Sequence, residues 1–268
     1  MFKGVFNSWA YILWYVFYVV LFTILTIGVI IPVYIVFFLL AFSPVAEQLW
    51  RWVSGIRPLR IRAEKERLIT LWEEVWSAYA QEEKGRNIKH TRNIRLYIQE
   101  TMNINAFAFG RETLVLTKGS IDLLSDEALK GLIAHELAHF HSYDTMRALF
   151  AYVANFPMSF LMKKLRQINS TLNDGFMRFI FVIIFSVFRF IEFIGDLILM
   201  QHSREQEYQA DMLALKWGYG EELAGALIQI YQISMEKPKT IDEMVRATHP
   251  PITKRIEKLE TALIKINR

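Results

Sequence analysis

The chain has 268 residues, enough for one or two domains with a real hydrophobic core. Apolar residues make up 53% and aromatics 14%, which excludes disorder, and the absence of Cys excludes a disulfide scaffold, thiol nucleophiles and cysteine zinc sites. A net charge of +4 is too small to argue for nucleic acid. Its distribution is uneven. From Phe2 to Ala46 the only charge is Lys3, whereas Arg51, Arg57, Arg60, Arg62, Lys65 and Arg67 follow in close succession. That asymmetry argues against a freely soluble protein.

Trp9 to Phe42 is an uncharged, mostly apolar run of 34 residues. As one helix it would extend about 51 Å, against a hydrocarbon core of ~30 Å. Two spans, roughly 9–27 and 30–46, joined near Gly28 and Pro32, fit the bilayer better, because Pro removes a backbone donor and Gly relaxes the turn. A cleaved signal peptide is a poorer reading, since its apolar core is much shorter. The basic cluster that follows places the next domain on the cytoplasmic side.

Leu68, Leu71, Trp72, Val75, Trp76 and Tyr79 then recur at helical spacing, as a core-facing stripe does, with Lys84-Gly85 as the stop. Ile94, Leu96 and Ile98 alternate as a strand, and Asn103–Phe109 with Thr113–Thr117 read as a hairpin turning at Gly110-Arg111-Glu112. Ser125 can cap a helix that carries Asp126 and Glu127 in its first turn.

That helix contains His135-Glu136-Leu137-Ala138-His139. Histidines at i and i+4 project from one face and can share a zinc ion, with Glu136 beside them to take a proton from the attacking water. His141 lies about 200° around the helix from His139 and cannot join them. A second apolar region, Ala148 to Met200, is interrupted by Lys163, Lys164, Arg166 and the polar stretch Asn169–Gly175. Arg189, Glu192 and Asp196 fall on one helical face, which should avoid lipid, so the region reads as an internal hairpin that need not be fully inserted. Downstream, Ser203-Arg204-Glu205-Gln206-Glu207-Tyr208-Gln209-Ala210-Asp211 offers carboxylates for the third ligand that a His₂ zinc site needs.

HELAH, then SREQEYQAD, then THPPITKRI at 248–256, resembles the HtpX-like membrane zinc metallopeptidases, with the CAAX prenyl endopeptidases and OMA-type proteases as more distant relatives. The resemblance runs in order over about residues 60–265. It implies one zinc ion per chain held by His135, His139 and Glu207, with Asp211 as the partner of Glu207. Glu205 is the competing carboxylate but lacks an Asp four residues on. Asn105, Ala106 and Phe107 are similar to the substrate-binding strand ahead of the active-site helix. By the same resemblance His249 stabilises an oxyanion; the alternative is that it only precedes the prolines that start the last helix. Arg255 can pair with a carboxylate or stand as a solvated helix charge.

The expected fold is thus α+β and mainly α-helical: a zincin-like catalytic domain with a small antiparallel sheet and an HExxH helix, plus N-terminal and internal transmembrane hairpins. The expected organisation is an anchor over 1–50, catalytic residues over 51–147, an internal membrane hairpin over 148–200, and the rest of the catalytic domain over 201–268. If 176–217 is one continuous helix, Arg189, Asp196, Ser203 and Glu207 share a stripe, and the metal lies close to the membrane surface. The resemblance implies a bacterial cell-membrane zinc endopeptidase that hydrolyses misfolded or membrane proteins near the cytoplasmic membrane surface, with protein or peptide substrates and membrane lipid as partners and no nucleic acid. The alternatives are a dedicated processing protease for a lipidated or signalling peptide, and a non-catalytic zinc-fold scaffold. A scaffold would have no need of Glu136. No residue pattern speaks to the oligomeric state.

Overall fold

The computed structural model describes residues 31–84, 88, 91–150, 204–234 and 250–266, with isolated positions at 17, 28, 163, 167, 175, 179, 182, 183, 185 and 186. The first expected span, 9–27, and the internal hairpin, 148–200, therefore lie outside the described residues except for a few positions. The chain forms two compact units, Met1–Glu47 and Gln48–Arg268.

In the first unit α1 (Ile31–Ala41) carries exposed apolar side chains around its circumference, among them Ile31, Val33, Ile35, Val36, Leu39 and Leu40. The expected second span, 30–46, is not a single helix. Ser43 and Pro44 break it, because Pro44 has no N–H to continue the ladder and Ser43 caps a new helix, its Oγ accepting from the Ala46 N–H at 3.2 Å. That new helix is α2 (Pro44–Val53). No single helix among the described residues is long and apolar enough to cross a membrane, although α1 and α2 together pass that test as a pair bent by 76°.

The second unit is built on a four-stranded sheet of order β1-β2-β4-β3, with β1 (Ile56–Pro58), β2 (Arg95–Gln99), β3 (Ala106–Phe109) and β4 (Thr113–Thr117). The β3–β4 hairpin turns as expected through Gly110, whose φ of +61° suits glycine. The sheet itself is mixed, not antiparallel. β2 pairs parallel to β4, because β4 returns from the hairpin into the space between β2 and β3. All five residues of β4 are buried, and a strand covered on both faces belongs at the centre. β1 was not foreseen: it is three residues long and holds Pro58 at a sheet edge, where a missing donor is tolerated.

α3 (Arg62–Glu82) buries Leu68, Leu71, Val75 and Tyr79, the stripe read from the periodicity. α4 (Lys118–Leu123) follows β4 directly, with Thr117 as its cap. α5 (Asp126–His141) begins at Ser125, whose side chain accepts from the Ala128 N–H at 3.2 Å. It is buried on nearly every side, packed among α3, β3 and α8 (Gly220–Ser234). Gly131 permits the α5–α8 approach: a Cβ there would lie 2.3 Å from the Leu223 backbone nitrogen. Helical residues 144–150 (α6) and 204–216 (α7) flank the internal apolar region, and α9 (Ile252–Ile266) lies against α8. α7 is tied to α3 where Lys216 Nζ and Trp217 Nε1 donate to buried Glu83, at 2.6 and 3.2 Å.

Candidate active site

α5 presents His135 and His139 one helical turn apart, their rings 4.8 Å between centroids and nearly perpendicular. α7 brings Glu207 against both. The His135 and His139 Nε2 atoms are 3.3 Å apart, His135 Nε2 lies 3.4 Å from Glu207 Oε2, and His139 Nε2 lies 3.6 Å from Glu207 Oε1. Ligands about 2.0–2.1 Å from a tetrahedral zinc stand ~3.3–3.4 Å from one another, so this donor set fits the ion. Among the described residues these three form the group of His, Asp and Glu side chains placed to hold a metal. Glu205 is exposed, whereas Glu207 is buried and is the carboxylate that lies with the two histidines.

Each histidine has its own carboxylate behind it. Asp211, one turn beyond Glu207 and 1% exposed, faces His135 Nδ1 at 3.0 Å. Asp144 faces His139 Nδ1 at 3.1 Å. A hydrogen bond at Nδ1 leaves the Nε2 lone pair for a metal. Arg255, from α9, is buried and not solvated: its Nε donates to Asp211 Oδ2 at 2.9 Å and its Nη2 to Oδ1 at 2.6 Å, while Nη1 reaches Glu207 Oε2 at 3.1 Å. This bidentate pair locks α9 onto α7.

The electrostatics follow from that enclosure. Burial and the Arg255 charge push the His135 pKa down, but hydrogen bonds to Asp211 and Glu207 outweigh them and raise it to about 9. Burial works against the Asp211 carboxylate, yet His135 and Arg255 hold it below the ordinary range. Glu136 is buried on α5, a residue past His135 and about 100° around the helix, so it stands beside the ligand set and outside it. Its charge is felt at Arg255. His141 is directed elsewhere, with Nδ1 3.2 Å from the Tyr79 hydroxyl and its ring edge-on to Trp217.

β3 packs on α5 and forms an edge of the sheet. The Asn105 backbone is turned into the sheet: its N–H meets Thr117 Oγ1 at 2.9 Å and Ser120 Oγ at 2.8 Å, and its carbonyl accepts from the Thr117 N–H at 3.1 Å. By the alternation of an antiparallel pair, Ala106 and Ala108 then direct their N–H and C=O groups to the outer edge, which no strand among the described residues covers, and Phe107 directs its own inward. Of the three residues read as substrate-binding, Ala106 alone offers backbone there, and Asn105 offers an exposed side chain. His249 lies outside the described residues. Asp144 and Gln206 were not foreseen. Their partners lie across a turn and a long insertion, and no spacing in the sequence connects them.

A paired-histidine and glutamate site on an α+β scaffold defines a zincin-type arrangement. Residues 67–263 match Peptidase family M48, and the chain belongs to that family. It is 29% identical over 196 residues to a protease HtpX homologue of Dictyoglomus turgidum, covering 62% of each chain, and 26% identical over 207 residues to one of Neisseria meningitidis, covering 70% of this chain and 73% of that one. The match thus spans about 62% of the length of the Dictyoglomus relative. In fold it is similar to Ste24p of S. mikatae, with a TM-score of 0.50 at 19% identity, over 93% of this chain and 57% of that one.

Proposed function

We propose that the chain is a membrane-anchored zinc endopeptidase that cleaves unfolded or membrane-associated polypeptides at the cytoplasmic face of the bilayer. The observation that carries this reading is the convergence of His135, His139 and Glu207 at 3.3–3.6 Å beside Glu136. When bound, zinc supplies a Lewis acid for the scissile carbonyl and lowers the pKa of a water toward ~7. Glu136 accepts a proton from the attacking water and returns it to the leaving amine. The outer edge of β3 holds an extended substrate through Ala106 and Ala108, a mode that reads backbone and so tolerates varied sequences. Asp211 and Arg255 keep His135 and Glu207 in place, and His249 serves the developing oxyanion.

The membrane part of the reading draws on α2. Its inner side lies on the sheet, with Trp50 stacked 3.9 Å from Phe109 and Arg51 4.7 Å over the Tyr97 ring. Its other side presents Val45, Leu49, Trp52 and Val53, exposed at helical spacing. An exposed apolar stripe of this kind suits the headgroup boundary of a bilayer. The test is purification of the full chain in detergent and incubation with several unfolded polypeptides of unrelated sequence. Cleavage of all of them, lost with a zinc chelator and restored by added zinc, is expected. Chelator-resistant cleavage would overturn the reading, and cleavage confined to one peptide would favour a dedicated processing role.

A further inference from the structure

We propose that Asp144 is a positioning residue for His139, and that its hydrogen bond to Gln206 makes the metal site depend on how the two ends of segment 145–203 are held together. α5 stops at His141, and Tyr143 takes a left-handed φ of +59°, which swings the chain so that Asp144 begins α6 beneath the site. Asp144 is buried, and its two oxygens have different partners. Oδ2 accepts from His139 Nδ1 at 3.1 Å, and Oδ1 accepts from Gln206 Nε2 at 2.8 Å. Arg147 Nη1, on the next turn of α6, stands 3.4 Å from Oδ1.

The two histidines are thus supported differently. His135 is backed by Asp211, on the same helix as Glu207, so ligand and support move together. His139 is backed by a residue from the opposite end of the apolar insertion. Asp144 reaches α7 through Gln206, the neighbour of Glu207. Displacement of α6 from α7 would break Asp144 from Gln206 and turn the His139 ring, which carries Nε2 away from Glu207. The hydrogen bond therefore couples the placement of α6 against α7 to the metal site, and Asp144 does so without touching the reacting atoms.

The inference rests on the metal-site reading, and zinc binding by the wild type separates the two. In the full-length protein, zinc affinity is measured by chelator competition for the wild type, Asp144→Ala, Asp144→Asn, Gln206→Ala and the Asp144→Ala/Gln206→Ala double variant. Helicity and the d–d absorption of the cobalt-loaded form are recorded alongside. Expected are a 10- to 100-fold loss for Asp144→Ala, of about the size that supporting-residue substitutions produce, and a smaller loss for Gln206→Ala. Asp144→Asn should recover part of the affinity. The double variant should bind no more weakly than Asp144→Ala alone, as residues acting in series do. The cobalt spectrum should shift in Asp144→Ala at unchanged helicity. Wild-type affinity and spectrum in folded Asp144→Ala would overturn the proposal, as would additive losses in the double variant. If Asp144→Ala does not fold, wild-type affinity in both Asp144→Asn and Gln206→Ala would overturn it. A wild type that binds no zinc would remove the metal-site reading and this inference with it.

Discussion

His135 sits between an acidic and a basic neighbour, and its charge state shows which prevails. With Asp211 at 3.0 Å and Glu207 at 3.4 Å, the imidazolium persists to about pH 9 despite burial and Arg255. The folded pKa stands above the unfolded value of ~6.5, so this contact stabilises the metal-free protein fully below pH ~6.5 and is lost as pH rises through about 9. Thermal melts of metal-free protein should show a falling Tm between those two values, and the zinc-loaded form, whose imidazole has no such proton to lose, should not follow it. A flat metal-free profile would contradict the geometry. At this scale the candidate ligands were legible: HELAH states its own helix phase, the resemblance singled out Glu207 ahead of Asp211, and the structure brings the three side chains together. Arg255 was legible only as an alternative: nothing in its spacing says that α9 turns it inward against Asp211 instead of outward to water. Asp144 was not legible at all, since its role is created by a left-handed turn at Tyr143 that local propensity does not anticipate.

The elements that announced themselves have strong local signals: the periodic stripe of α3, the Ser125 cap of α5, and the Gly110 turn between β3 and β4. Those that were misread depend on long-range pairing. Pro58 masks β1, and the parallel β2–β4 pair arises because β4, apolar on both faces, displaces β3 to the edge. The packing of α5 on α8 shows how much depends on one small residue. Gly131→Ala adds a methyl 2.3 Å from the Leu223 nitrogen, so the helices must part. A strain of about 2–3 kcal/mol should exceed the ~1 kcal/mol gained in helix propensity, lowering the urea midpoint. An unchanged or raised midpoint would show that α8 can yield.

For the whole molecule, the basic cluster after the apolar run has two purposes. Arg57 pairs with Glu64 and Glu100, Arg67 with Asp126, and Arg51 lies on the sheet, so these residues build the fold. Arg60, Arg62 and Lys65 are exposed and keep the charge asymmetry that composition first suggested. The break at Ser43–Pro44 gives α2 a wall of its own along the sheet, which hydropathy alone could not separate from the preceding run. Because the chain has no cysteine, single-cysteine spin labels can report its depth in reconstituted bilayers. Labels at Leu49→Cys and Trp52→Cys should lie about 5–10 Å below the headgroups, and one at Arg62→Cys in water. Equal aqueous accessibility at all three positions would remove α2 from the membrane.

The claim at the centre of this account is that residues from both sides of a long apolar insertion form one hydrolytic zinc site, with Glu136 as its base. Zinc content and hydrolysis of an unfolded polypeptide, measured together on the wild type and Glu136→Gln, test it most directly. Both proteins should carry one zinc per chain, and the variant should hydrolyse at least about a hundredfold more slowly, the loss expected when a general base is removed. Equal rates in two equally loaded proteins would contradict the mechanism.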